Sequence, residues 1–235
     1  MAEISARVIE VFPSLQGEGI HAGRKHLFVR FWNCNLACHY CDTDYRGPYT
    51  EYTPQRLTEE VRRFLESRGP FHAVSLTGGE PLLWAGFLRG WLPWLREMEQ
   101  MVYLETNGTL PSALEEVLPW TDIVAMDLKP PSATADRETW GEHERFLRLC
   151  AEAGKEVFVK VIVTPETLDA EVRRSAKLVA AVDPEVPFVL QPVTPWGPVS
   201  AGPSQEQLAR WSGLVGSALR TVRIVPQVHR LLGIP

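Results

Sequence analysis

Three cysteines stand close together in the run Cys34-Asn35-Leu36-Ala37-Cys38-His39-Tyr40-Cys41. Three thiolates on one tight loop can hold three corners of a cubane iron–sulfur cluster, which normally takes four cysteine ligands. The only other cysteine, Cys150, is far along the chain. A cluster held here keeps one iron open, able to bind a small molecule through amine and carboxylate groups and pass it an electron. The same residue types also suit a closed Cys3His zinc site completed by His39 or His26. A disulfide fits less well, because short-spaced cysteines in a chain with no visible secretory signal read as ligands in a reducing compartment.

The elements that must position these thiols come from a chain of 235 residues, 45% apolar, with a net charge of −5. That length and composition suit a single domain, 1–235, with a sizeable core. The charge and the lack of a long basic run argue against duplex nucleic acid as partner. No apolar run is long enough to span a membrane, and Met1 to Ala6 carries Glu3 and no apolar targeting segment. The expectation is a soluble cytoplasmic protein.

Strand and helix signals alternate along the chain. Ala6 to Phe12 reads as a strand ended by Pro13, and Ser14 to Gly19 as a loop whose two glycines let backbone approach a ligand. His26 to Trp32 is an apolar strand interrupted by Arg30. An arginine there needs an anion, either an acidic neighbour or a bound carboxylate held by its planar fork. Thr53-Pro54 starts a helix with Leu57, Val61, Phe64 and Leu65 on one face. Ala73 to Leu76 is a buried strand that runs into Thr77-Gly78-Gly79-Glu80-Pro81.

A helix over Phe87–Glu97 leads to a strand at Met101–Leu104 and the polar turn Glu105-Thr106-Asn107-Gly108-Thr109. Ile123 to Met126 is followed by Asp127-Leu128-Lys129, where Asp127 and Lys129 form either a surface ion pair or part of a site. Next come a helix over 138–152 that buries Phe146 and Cys150, a strand at Glu156–Val163 that includes Lys160, and a helix through Leu168, Val172, Ala176 and Val179. Phe188 to Leu190 is a strand with Gln191 and Pro192 at its end. Ser204 and Gln207 form a capping box for a helix through Leu208, Trp211, Val215 and Ala218, and Thr221 to Val225 is the last strand. About six strand–helix units after the cysteines are too few for a closed eightfold barrel. The fold class is therefore α/β, a partial, open parallel β/α barrel.

The spacing C-x3-C-x2-C, with Tyr40 ahead of the last cysteine, resembles the signature of the radical S-adenosylmethionine (SAM) superfamily. The resemblance implies that Cys34, Cys38 and Cys41 hold a [4Fe-4S] cluster whose fourth iron is chelated by SAM. One electron then splits SAM into methionine and a 5′-deoxyadenosyl radical, which takes a hydrogen atom from substrate. Gly79-Glu80 and the Glu105-to-Gly108 turn resemble runs that line the SAM pocket in that superfamily.

Further runs resemble the 7-carboxy-7-deazaguanine synthase family: Gln16-Gly17-Glu18-Gly19, Phe28-Val29-Arg30, Cys41-Asp42-Thr43, Lys129-Pro130-Pro131-Ser132 and Gln227 to Pro235. This implies a lyase that contracts 6-carboxy-5,6,7,8-tetrahydropterin to 7-carboxy-7-deazaguanine with loss of ammonia, in queuosine and 7-deazapurine biosynthesis. It also implies site roles. Leu15, Gln16, Gly17, Arg30, Thr77 and the carboxylate of Pro235 would contact substrate. Tyr40, Cys41, Asp42, Gly79, Glu80, Asp127, Leu128, Lys129 and Gln191 would line the SAM pocket. Thr43 would bind Mg2+. No side chain acts as an acid or base; Arg30 and Thr43 position. Partners would be the pterin, an electron donor such as flavodoxin or ferredoxin, and a second copy in a homodimer. The chain has the short x3 form between its first two cysteines, and Val228 stands where the family usually has threonine. The rivals are a glycyl-radical activating enzyme, with the same cysteine spacing, and a zinc-stabilised binding protein.

Overall fold

The computed structural model describes residues 4–134 and 138–235. Met1 to Glu3, part of the targeting argument, lie outside them. The strands are β1 (Ala6–Leu15), β2 (Lys25–Phe31), β3 (Thr50–Tyr52), β4 (Ala73–Gly78), β5 (Val102–Thr106), β6 (Ile123–Asp127), β7 (Glu156–Val163), β8 (Phe188–Pro192) and β9 (Val222–Ile224). The helices are α1 (Pro54–Arg68), α2 (Ala85–Glu97), α3 (Pro111–Val117), α4 (Pro131–Thr134), α5 (Trp140–Glu152), α6 (Asp169–Val182), α7 (Gln205–Gly216) and α8 (Val228–Leu232). All strands join one sheet in the order β3-β1-β2-β4-β5-β6-β7-β8-β9. From β2 onward the pairings are parallel, while β1 is antiparallel to both its neighbours. The sheet ends at β3 and β9 without closing, so the open partial barrel holds. Among the described residues no helix is long and apolar enough to cross a membrane.

Side-chain alternation divides the sheet into two faces. Leu27, Val29, Val74, Leu76, Val102, Leu104, Val124, Met126, Val159 and Val161 point outward and form the main core with the helices. The alternate residues point into the barrel. Low in it, Ala73, Tyr103, Ile123, Ala125, Phe158 and Val189 pack as an apolar plug. Towards the carboxyl ends of the strands the inward positions turn polar, with Arg30, Thr77, Glu105, Asp127 and Lys160 lining a pocket. Burial on both faces explains why these strands read as largely apolar runs with few polar interruptions.

Several boundaries differ from the sequence reading. The first strand continues through Pro13, which pairs with Leu27. That stretch of β1 has a partner on one side only, since β3 pairs with Ala6, Arg7 and Val8, so proline's missing N–H is tolerated there. β3, α3, α4 and α8 are additional elements; none is longer than 7 residues, too short for a repeating apolar pattern to stand out. The helix expected over 138–152 begins at Trp140, and Phe146 and Cys150 are buried in it as expected. Leu168 is the N-cap of α6 and exposed, while Ala218 lies just past the end of α7. Thr53 and Ser204 cap α1 and α7 through their side chains.

Candidate active site

The cysteine loop leaves the end of β2 and is tied down by two neighbouring strand ends. Asn107, just after β5, donates from Nδ2 to Asn35 Oδ1 at 2.8 Å and approaches Cys34 Sγ at 3.8 Å. Asn35 in turn donates to Thr109 Oγ1 at 2.8 Å. From β4, Glu80 N–H donates to the Asn33 carbonyl at 2.9 Å. A Cβ on Gly79 would lie 2.0 Å from the same carbonyl oxygen, so that contact requires glycine.

Cys34, Cys38 and Cys41 are free thiols at the pocket wall. Burial pushes the Cys34 thiol up to about 11 and also raises Cys41, a preference that bound iron reverses by stabilising thiolate. Among the described residues no three His, Cys, Asp or Glu side chains converge as they would around a single ion. His26 cannot complete a zinc site with these cysteines. It is fully buried on β2, bonded to Ser75 Oγ at 2.7 Å and stacked edge-on with His72 and Tyr103. His39 is exposed beside Tyr40.

One pocket wall is made of strand ends. Lys129 Nζ lies 2.8 Å from Asp127 Oδ2 and donates to Tyr40 Oη at 3.1 Å. The Asp127–Lys129 pair is therefore buried, with side chains only 12% and 10% exposed, and not the surface pair that remained open from sequence. Burial pulls the Lys129 pKa down, but Asp127 and Tyr40 outweigh it and hold the ammonium above its ordinary value. Lys160, from the middle of β7, pairs with Glu18 and lies 3.3 Å from Asp127 Oδ2.

The opposite wall comes from the two ends of the chain. Residues 16–21 fold across the barrel. Gln16 Nε2 donates to Glu105 Oε1 at 2.7 Å, and His21 reaches Glu156 at 2.8 Å near the barrel floor. Thr77 Oγ1 donates to the other Glu105 oxygen at 2.9 Å. Burial raises the Glu105 carboxyl despite these two bonds. The tail then closes over this loop. Val228 N–H donates to the Gly17 carbonyl at 2.8 Å, and Ser14 Oγ donates to the Pro235 carbonyl at 2.8 Å. A Cβ on Gly17 would meet the His229 ring at 2.3 Å, so this glycine admits the tail. Asp42 accepts from Arg230 Nε at 3.0 Å and Gln227 Nε2 at 3.2 Å. Burial works against its charge, but His229 and Arg230 prevail and hold the carboxyl far below the usual range.

Fifteen of the residues singled out from sequence meet in this pocket: Leu15, Gln16, Gly17, Arg30, Cys34, Cys38, Tyr40, Cys41, Asp42, Thr43, Thr77, Gly79, Asp127, Lys129 and Pro235. Arg30 has its acidic neighbour, with Nε donating to Glu10 at 2.8 Å, and it still lines the pocket. Glu80, Leu128 and Gln191 are fully buried and outside the lining. Glu80 spends its carboxylate on the strand-end turns, accepting from Leu82 N at 3.0 Å, Asn107 N at 2.8 Å and Thr106 Oγ1 at 2.9 Å, and burial moves its pKa up to about 7. Leu128 N–H donates to the Lys160 carbonyl at 2.8 Å. Gln191 sits beside Ile162 in register, and its amide oxygen and nitrogen have no hydrogen-bond partner among the described residues.

Sequence reasoning gave no pocket role to Lys160, Gln227 or His229. Lys160 carried a signal, a lone charge in an apolar strand. Gln227 and His229 carried only their place in the tail.

The buried Asp127 Oδ1 and Gln191 amide, without partners among the described residues, are the kind of orphan polar groups a ligand satisfies. Together with three thiols on one loop they fit a cluster with SAM beside it. Residues 31–179 match the radical SAM superfamily, and fold and site define an enzyme of that class. The chain is 38% identical to a 7-carboxy-7-deazaguanine synthase of Geobacter sulfurreducens over 99% of both chains. It is 34% identical to one of Methanothermobacter thermautotrophicus over the full length of both. The chain belongs to the 7-carboxy-7-deazaguanine synthase family. The crystal structure of QueE from Escherichia coli shares the fold, with a TM-score of 0.62 at 17% identity over 96% of this chain and 95% of that one. SuiB of Streptococcus suis bound to S-adenosylmethionine follows at a TM-score of 0.61 and 15% identity over 82% of this chain and 48% of that one.

Proposed function

We propose that this enzyme is a lyase that contracts 6-carboxy-5,6,7,8-tetrahydropterin to 7-carboxy-7-deazaguanine, releasing ammonia, in queuosine and 7-deazapurine biosynthesis. The observation that carries the reading is the meeting, in one pocket, of three loop cysteines with Arg30, the buried carboxylate of Asp127 and Pro235 of the tail. Full-length relatives bearing the synthase name support it.

Cys34, Cys38 and Cys41 would hold the [4Fe-4S] cluster. Tyr40, Asp42, Gly79, Asp127, Lys129 and Gln191 would face SAM, while Glu80 and Leu128 act through the backbone turns they fix. When bound, cluster and SAM supply one-electron reductive cleavage and hydrogen-atom abstraction. The protein's part is to place the substrate and exclude water. Arg30, its Nε committed to Glu10, keeps its outer nitrogens for a carboxylate. Glu105, oriented by Gln16 and Thr77, presents an acceptor for ring N–H groups. Leu15 and Gly17 complete that wall, and the Pro235 carboxylate closes it. Thr43 offers one hard oxygen to Mg2+, an ion that keeps waters and shares substrate oxygens. Electrons would come from a flavodoxin or ferredoxin, and the working unit would be a homodimer.

The test is an anaerobic reaction of reconstituted enzyme with the tetrahydropterin, SAM and reductant. A product lighter by one ammonia is expected. Unchanged pterin, with SAM cleaved or intact, sinks the reading.

A further inference from the structure

The polar contacts around the pocket form a closed circuit. Starting on the cysteine loop, Tyr40 accepts from Lys129 at 3.1 Å, and Lys129 pairs with Asp127 at 2.8 Å. Lys160 bridges Asp127 Oδ2, at 3.3 Å, to Glu18. Glu18 Oε1 accepts from Gln227 Nε2 at 3.1 Å, and that same nitrogen donates to Asp42 at 3.2 Å, back on the cysteine loop. Charges alternate along its buried stretch: Glu18, Lys160, Asp127, Lys129.

Within the circuit Lys160 has a distinct place, because its one ammonium joins Glu18 of the loop of residues 16–19 to Asp127 of the strand-end wall, while the other tie of that loop to a strand end, Gln16 to Glu105, lies outside the circuit. We propose that Lys160 is a positioning residue that couples the two walls, so that SAM and the pterin bind cooperatively. The inference deepens the reading above and rests on it.

The physical basis is geometric. Asp127 Oδ1 is buried and has no partner among the described residues, so a ligand that donates to it fixes the carboxylate. Asp127 Oδ2 then holds the Lys160 ammonium, a group with three donors and no acceptor. With 11% of its side chain exposed, Lys160 cannot swing to water, and it holds Glu18 in turn. Glu18 belongs to the loop that carries Gln16 and Gly17. Ordering that loop once, with the first ligand, spares the second ligand the same entropic cost. Linkage makes the effect reciprocal.

The experiment uses holoenzyme whose cluster is kept oxidised, so that nothing turns over. It is titrated anaerobically by calorimetry with 6-carboxypterin, the aromatic form of the substrate, with and without saturating SAM. In the wild type SAM should tighten pterin binding by about tenfold, within the usual range of site-to-site coupling. Lys160→Met should bring that ratio close to one. This variant leaves two buried carboxylates facing each other, so the charge-balanced Lys160→Met/Glu18→Gln variant is measured beside it and should also show a ratio near one. A wild-type ratio near one, or an undiminished ratio in the double variant, overturns the coupling. Wild-type protein that binds SAM but not the pterin overturns the proposed function instead, and the coupling with it.

Discussion

The wall that carries Gly79, Asp127 and Lys129 is made of strand ends that follow one another in sequence. The wall that carries Gln16, Glu18 and Pro235 is assembled from the two ends of the chain. Each turn of the first wall is held by near neighbours in the sheet, as when Glu80 accepts from Thr106 and Asn107. The second depends on ties such as Ser14 to Pro235 and Glu18 to Gln227, more than 200 residues apart in sequence. Strand ends inherit rigidity from the core behind them, whereas a tail held by a few polar contacts opens at much lower free-energy cost. The difference suits the proposed roles of a radical enzyme: the wall proposed for the cofactor is fixed, and the wall proposed for the substrate can open and then exclude water.

The comparison breaks most completely if the rigid wall proves dispensable. Alanine at Cys34, Cys38 or Cys41 should abolish the brown chromophore and reduce turnover to background. Cys150→Ala should keep both, since that thiol is buried between α5 and the sheet. Colour retained in a loop-cysteine variant, read by absorbance and iron content, would remove the foundation of the site.

The next effect separates the walls. Arg230→Ala removes charge-assisted bonds to Asp42 from a pair whose side chains are 29% and 24% exposed. A loss of about 1–2 kcal/mol is expected at such partial exposure. It should appear as a pterin KM roughly tenfold higher, with SAM binding changed far less, because the Asp42 carboxylate keeps its bond from Gln227. Equal losses for both ligands would mean the walls are not distinct.

A smaller effect sharpens the account of the strand-end wall. His143 Nε2 meets the Asn107 carbonyl at 3.0 Å, and burial lowers its pKa to about 4 from an ordinary 6.5. The neutral ring is therefore favoured by folding. The unfolded chain takes up the proton first as pH falls, so stability from this group is complete above pH 6.5. It is lost at about 1.4 kcal/mol per pH unit down to about pH 4. Denaturant melts of wild type and His143→Gln across that window should converge as pH falls; parallel curves would refute the buried neutral ring. The smallest change, Ser204→Ala, removes the N-cap of α7, far from both walls. It should cost about 1 kcal/mol in thermal or urea melts and leave both ligand affinities alone.

How much of this could be read in advance follows the same division. The cysteine loop, the Gly79 turn and the Asp127–Lys129 pair were legible because local spacing and strand-end position define them. Lys160 shows in the sequence only as an ammonium in an apolar strand, and its partner, Glu18, lies 142 residues away in sequence. The motif places Glu80 in the SAM pocket, while its carboxylate ties its own turn to the turn after β5, accepting from the Leu82 and Asn107 N–H groups and the Thr106 hydroxyl. Gly17 was read as making room for a ligand, and it makes room for His229.

By itself the sequence determined the ligand set, the alternation of strands and helices, and the polar residues at the strand ends, since these follow from side-chain chemistry and short-range periodicity. Only the tertiary structure decided that the tail returns to Gly17 and Asp42, that Arg30 is shared with Glu10, and that one lysine bridges the two walls. Those contacts join residues far apart in sequence. Their geometry is set by how the sheet curls and where the barrel stays open, which no local pattern encodes.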